Sequence, residues 1–155
     1  MTTIGIDPGA SGGIAWMFKD GTAGCQSMPE TEADIVYLLR SIIAQNPDAT
    51  AVIEEVGGFC GVGQPGSAMF KFGFSAGFLR GVAMSQGYRV HIVRPQKWQK
   101  HFSLGTSKEA GGKSEWKRKL KAEAQRRYPN LDITLKTADA VLLMDYGLAN
   151  KNQAA

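Results

Sequence analysis

Three acidic residues occupy positions where ordinary surface chemistry does not put them. Asp7 directly follows Ile4-Gly5-Ile6, an alternating apolar run, and precedes Pro8-Gly9 and the pair Gly12-Gly13. Glu54 closes the apolar run Ala51-Val52-Ile53. Asp139 shares a helical stripe with Leu135, Leu142 and Leu143, at spacings of three and four. A carboxylate at the end of a buried strand, or in the inward stripe of an apolar helix, costs several kcal/mol unless a cation or donors satisfy it. Carboxylate oxygens are hard ligands and suit Mg²⁺ or Mn²⁺. Two such ions roughly 4 Å apart activate a water and stabilise the leaving oxygen in phosphodiester hydrolysis. Asp-Pro-Gly is equally good turn chemistry, so a cap on its own turn is the competing reading of Asp7. Strand alternation turns Glu55 away from Glu54, and Asp145, six residues past Asp139, is expected in solvent.

The elements that must position these acids alternate along the chain. Residues 2–7, 13–18 and about 22–27 read as short strands joined by glycine-containing turns. Ile35, Leu38, Leu39, Ile42 and Ile43 fall at helical spacing within 31–45, and Asn46-Pro47 ends that helix. A buried strand at 51–56 leads into the glycine-rich stretch Gly57 to Gly66, a loop of functional length. A helix rich in small residues follows over about 67–86, then a fifth strand at 88–93 and one helical turn at 95–101. Residues 103–112 read as a loop, 113–128 as a basic helix stopped by Pro129-Asn130, and 135–148 as the last helix. Residues 1–149 thus form one α/β domain, and 150–155 a tail expected to fray. Three strands, helix, strand, helix, strand and further helices match a ribonuclease H-like architecture: a five-stranded mixed sheet with helices on both faces. In it the first and fourth strands are neighbours, so Asp7 and Glu54 end side by side.

The 155 residues suffice for one domain with a core, and an apolar fraction of 43% with 21% charged residues fits an ordinary globular protein. No apolar run approaches the roughly 18 residues needed to span a membrane, and a cytoplasmic protein is expected. Cys25 and Cys60 are isolated, and His91 and His101 have no metal-ligand spacing. Positive charge is concentrated. Residues 94–136 hold 12 of the 18 Lys and Arg residues against four acids, a local charge of +8, while the remainder carries −4. Such a segment points to a polyanion, most plausibly nucleic acid, against the bland reading of a solvated helix face.

Gly5-Ile6-Asp7-Pro8-Gly9, Ile53-Glu54-Glu55-Val56, Arg80-Gly81-Val82-Ala83, Lys113-Ser114 and Ala138-Asp139-Ala140 follow one another in the order and rough spacing of the RuvC family of Holliday junction resolvases. The chain resembles that family over residues 2–148, and particularly its short phage or prophage members. The resemblance implies a homodimer, in a bacterial or phage-infected cell, that nicks two strands of a four-way DNA junction symmetrically and leaves 5′-phosphates. It maps the metal-binding acids onto Asp7, Glu54 and Asp139. A second acid of the bacterial resolvases, three residues before the last, falls here on Lys136. One turn before Asp139 in the expected helix, Lys136 is a candidate catalytic cation. Phe59, in the glycine-rich loop, is a candidate for stacking on an unpaired base, worth about 1–3 kcal/mol. Gln64, Phe70 and Lys71 would border the active site. Lys108, Lys113, Lys117, Arg118 and Lys121 would hold phosphates, and Lys113 matches a family lysine near the scissile strand. Trp98 and Trp116 read as core or hinge aromatics rather than base readers.

Other classes share parts of this pattern. The Gly-Ile-Asp strand and its glycine turn also resemble the first phosphate loop of actin-like ATPases, but the chain has neither the length nor the second loop for that fold. A processing nuclease acting on other branched DNA or on RNA is the serious alternative. A non-catalytic junction-binding module would gain nothing from three crowded carboxylates facing DNA.

Overall fold

The computed structural model describes residues 1–57 and 66–150. Strands β1 (Thr2–Asp7), β2 (Gly13–Met17), β3 (Ala23–Ser27), β4 (Ala49–Glu54) and β5 (Arg89–Val93) form one sheet in the order β3-β2-β1-β4-β5. β1, β2 and β3 pair antiparallel, while β1–β4 and β4–β5 are parallel, so the sheet is mixed. The helices are α1 (Glu32–Gln45), α2 (Gly66–Ser85), α3 (Pro95–His101), α4 (Lys113–Arg127) and α5 (Ala138–Ala149). Among the described residues no helix is long and apolar enough to cross a membrane. Of the tail expected to fray, 151–155 lie outside the described residues, whereas Asn150 caps α5 through Tyr146.

Two-residue alternation gives the sheet two apolar faces. Ile4, Ile6, Ile14, Ala51 and Ile53 pack with α1 and α2, joined by Leu39, Ile42, Leu79 and Ala83. On the other face Ala15 and Val52 lie under α5, with Trp98, Trp116 and Leu120 packed around it. α5 sits so close to β1 that a Cβ on Gly5 would meet the Ala140 carbonyl and the Met144 amide. Val141, Leu142, Leu143 and Met144 are fully buried there. Burial of each such side chain stabilises the fold by about 1.5–3 kcal/mol. α5 is therefore a central element of the core.

The expected elements are present, and the last helix is where the boundaries differ most. It begins at Ala138, three residues later than the spacing predicts. Thr134 and Thr137 account for this. The Thr134 amide donates to the Thr137 hydroxyl at 2.9 Å, and the Lys136 amide donates to the Thr134 hydroxyl at 3.2 Å. Hydroxyls that bond to nearby backbone hold a turn where a helix would otherwise extend. Leu135 is consequently 50% exposed rather than part of the inward stripe.

Candidate active site

The backbone itself aims the carboxylates. Asp7 follows Thr3 and Gly5 on the β1 face that meets α5, and Glu54 follows Val52 on the corresponding face of β4. Ile6 lies beside Ile53, so Asp7 and Glu54 come next on adjacent parallel strands. Asp139 stands in the first turn of α5, itself buried, and completes the group from above the sheet. The three acids expected to converge come together where β1 and β4 end beneath the first turn of α5.

Their electrostatics confirm the crowding. Burial pushes the Asp7 carboxyl up to about 8, with the negative charges of Asp139 and Glu54 adding to the effect and Lys117 opposing it. Burial likewise raises Glu54 to about 6, against the hydrogen bond from Trp98, which favours the anion. The Lys117 ammonium forms an ion pair with Asp139 Oδ2. Burial alone would lower the Lys117 pKa, but Asp139, with Asp7 and Glu54 behind it, raises it above the ordinary value. Asp139 Oδ1 is buried and has no hydrogen-bond partner. Trp98, fully buried on α3, donates its indole N–H to Glu54 Oε2 at 2.7 Å.

Among the described residues no three His, Cys, Asp or Glu side chains form a ready-made metal cage. The Lys117 ammonium stands beside Asp139. The donor chemistry nonetheless fits a hard divalent ion: three carboxyl groups crowd together, one of their oxygens is buried without a partner, and burial together with the other acids opposes the charge of Asp7, which a divalent cation would relieve.

The remaining candidates separate. Lys136 lies in the turn before α5, exposed, and among the described residues no ion pair joins it. Its expected place one helical turn from Asp139 is thus corrected, and Lys117 supplies the cation instead. Lys113, Lys117 and Lys121 are spaced four apart along α4 and so share one stripe, with Lys117 turned into the site. Arg118 pairs with Glu115, and Lys108 stands exposed in the preceding loop. Lys71 and Phe70 are exposed near the start of α2. Phe59 and Gln64 lie outside the described residues. Glu55 pairs with Arg94, apart from Glu54 and its tryptophan partner. Asp145 is not in solvent: it accepts from Arg127 and from the Tyr128 hydroxyl, tying α5 to the end of α4.

Sequence reasoning missed two participants. Trp98 was expected in the core, where it is, but not as a donor to Glu54. Lys117 was expected on phosphate rather than on a carboxylate. The four-residue spacing from Lys113 marks the stripe, but only the packing of α4 on α5 shows which lysine meets Asp139.

No family model matches the chain, and no curated protein matches it in sequence. Solved structures do. A structure of Thermus thermophilus RuvC aligns over 96% of this chain and 96% of its own, with a TM-score of 0.60 and 14% identity. The fold is that of RuvC. T. thermophilus RuvC in complex with a Holliday junction substrate aligns over 96% of this chain and 95% of its own, with a TM-score of 0.64 and again 14% identity. The RuvC-like fold bears out the architecture expected from the order of strands and helices.

Proposed function

We propose that this chain is a divalent-metal-dependent endonuclease that resolves four-way DNA junctions by paired symmetric nicks leaving 5′-phosphates. The observation that carries the reading is the meeting of Asp7, Glu54 and Asp139 where β1 and β4 end beneath α5, in a RuvC-like fold. Asp7, Glu54 and Asp139 would hold two Mg²⁺ or Mn²⁺ ions. When bound, such ions activate the attacking water and stabilise charge on the leaving oxygen. The chain's own residues do the rest. Trp98 restrains one oxygen of Glu54, and Lys117 offsets the charge of Asp139 while its side chain stays partly exposed. Lys113 and Lys121 on the same stripe, with Lys108 and Arg118 nearby in sequence and Lys71 on α2, would hold the backbone electrostatically. Two copies of the chain, each cutting one strand, account for paired nicks. The exposed apolar face of α2 is the surface for that pairing.

The test is cleavage of labelled substrates: a four-way junction, a fork, linear duplex and an RNA–DNA hybrid, each with Mg²⁺, Mn²⁺ or EDTA. The junction should be cut by wild type with either ion, giving ligatable products, and left intact in EDTA. Glu54→Gln should lower cleavage by at least 100-fold while junction binding is kept or tightened, since a charge repelling phosphate is gone. Glu55→Gln, which removes only the exposed pair with Arg94, should stay within a few-fold of wild type. Equal loss in both variants, or preference for the hybrid, would overturn the resolvase reading in favour of another branched-DNA or RNA nuclease.

A further inference from the structure

Trp98 is the most buried large side chain in contact with the acidic group, and its position is set by strong local signals. Arg94 and Pro95 start α3 directly after β5, with Pro95 in the first helical turn where its missing N–H costs nothing. The Trp98 amide donates back to the Arg94 carbonyl at 3.3 Å, closing the first turn of α3. Phe102 packs edge-on against it with ring centroids 6.2 Å apart. The indole N–H is a donor only and must find an acceptor when buried. A backbone carbonyl would serve that need. The acceptor here is Oε2 of Glu54, 44 residues away in sequence.

The consequence falls on Glu54. The terminal torsion of a glutamate is broad, so an unrestrained carboxylate presents either oxygen at many angles. With Oε2 held by a fully buried indole, the orientations open to the carboxylate are narrowed. Among the described residues Oε1 takes no hydrogen bond, so it is the oxygen left available to another ligand, in a group whose charges couple to Asp7 and Asp139.

We propose that Trp98 is a positioning residue of the metal site: its indole N–H restrains the Glu54 carboxylate so that Oε1 is presented to the divalent ion. The inference rests on the reading of Glu54 as a metal ligand. Partners of this kind, which orient a ligand without touching the metal, typically change affinity by about 10–100-fold when removed.

Trp98→Phe keeps an aromatic ring in the core and deletes the donor. Mn²⁺ affinity measured by calorimetry should fall about tenfold in Trp98→Phe. In a Glu54→Ala background the same substitution should change affinity less than twofold, because its effect passes through Glu54. A purely structural role would weaken binding equally in both backgrounds, and that result overturns the proposal, as does unchanged affinity in the single variant. Should Trp98→Phe not fold, wild-type protein with ¹⁵N-labelled indoles answers instead. Mg²⁺ titration should move the Trp98 indole resonance well beyond those of Trp16 and Trp116. A Trp98 signal that stays fixed while Mg²⁺ saturates the protein overturns the positioning role and leaves the nuclease reading standing. Absence of any Mg²⁺ or Mn²⁺ binding by wild type defeats both.

Discussion

Asp7, Glu54 and Asp139 are three carboxyl groups crowded where β1 and β4 end under the start of α5, and the chain offsets them with one ammonium, Lys117, and one indole donor, Trp98. The imbalance appears at Asp7, raised from an ordinary value of 3.8 to about 8, chiefly by burial. Between those two values the folded chain keeps a proton that the unfolded chain gives up. Stability from this group is therefore fully present below 3.8 and lost as the pH rises through about 8. Glu54, raised to about 6, acts in the same direction. Metal-free protein in EDTA should accordingly melt at progressively lower temperature from pH 5 to pH 8. Asp7→Asn should flatten that slope and raise the midpoint at pH 8 by several degrees, as expected for about 1–2 kcal/mol in a domain of this size. Mg²⁺ at pH 8 should restore the wild type and leave Asp7→Asn unmoved. A wild-type midpoint that is flat or rises over this range would place Asp7 in solvent.

At the scale of elements, the site depends on how closely α5 approaches the sheet. Gly5 permits that approach, because any side chain there would meet the backbone of Ala140 and Met144 directly. Backbone cannot yield as a flexible side chain does, so Gly5→Ala must push the whole helix outward, and Asp139 with it. We expect Gly5→Ala to destabilise the protein by several kcal/mol or leave it unfolded, and any folded fraction to lose metal affinity. Calorimetric melting with Mn²⁺ titration checks this; a stable Gly5→Ala protein with normal affinity would show that α5 is not the element placing Asp139. The same packing explains what could be read from the sequence. Ile4 and Ile6 mark β1 by alternation and Ala51-Val52-Ile53 marks β4 as a continuous apolar run. Alternation turns Glu55 away from Glu54, while the order of the elements is what makes β1 and β4 neighbours and brings Asp7 beside Glu54. The start of α5 was not legible, because Leu135 continues the apolar spacing while the threonines at 134 and 137 hold a turn against it. Lys136 was misplaced for that reason. Lys117 and Trp98 were not assigned to the site because their partners lie 22 and 44 residues away, a separation that no local pattern encodes.

The whole molecule has an asymmetry that the single chain does not resolve. α2 is a 20-residue helix with only Lys71 and Arg80 charged, yet within it only Leu79 and Ala83 are buried. A helix apolar on nearly all sides ordinarily has neighbours on nearly all sides. Here Phe70, Phe74 and Met84 are 72%, 55% and 57% exposed, and Gly73, Gly77 and Gly81, spaced four apart, open onto empty space. Bulky and flat positions on one face suit a second copy of the same face across a twofold axis, where glycines let backbones approach. A charge at Phe74 would be nearly free in the monomer and costly in the pair. Phe74→Glu should therefore melt close to wild type yet sediment as a monomer at micromolar concentration, where wild type should sediment as a dimer. Function supplies the sharper measurement. On a supercoiled plasmid with an extruded cruciform, two coupled nicks linearise the circle, whereas one nick relaxes it and removes the substrate. Wild type should give linear product directly, and Phe74→Glu should give mainly nicked circles, with Mn²⁺ affinity unchanged. Linear product from a variant shown to be monomeric would mean that pairing through α2 is not what couples the two cuts.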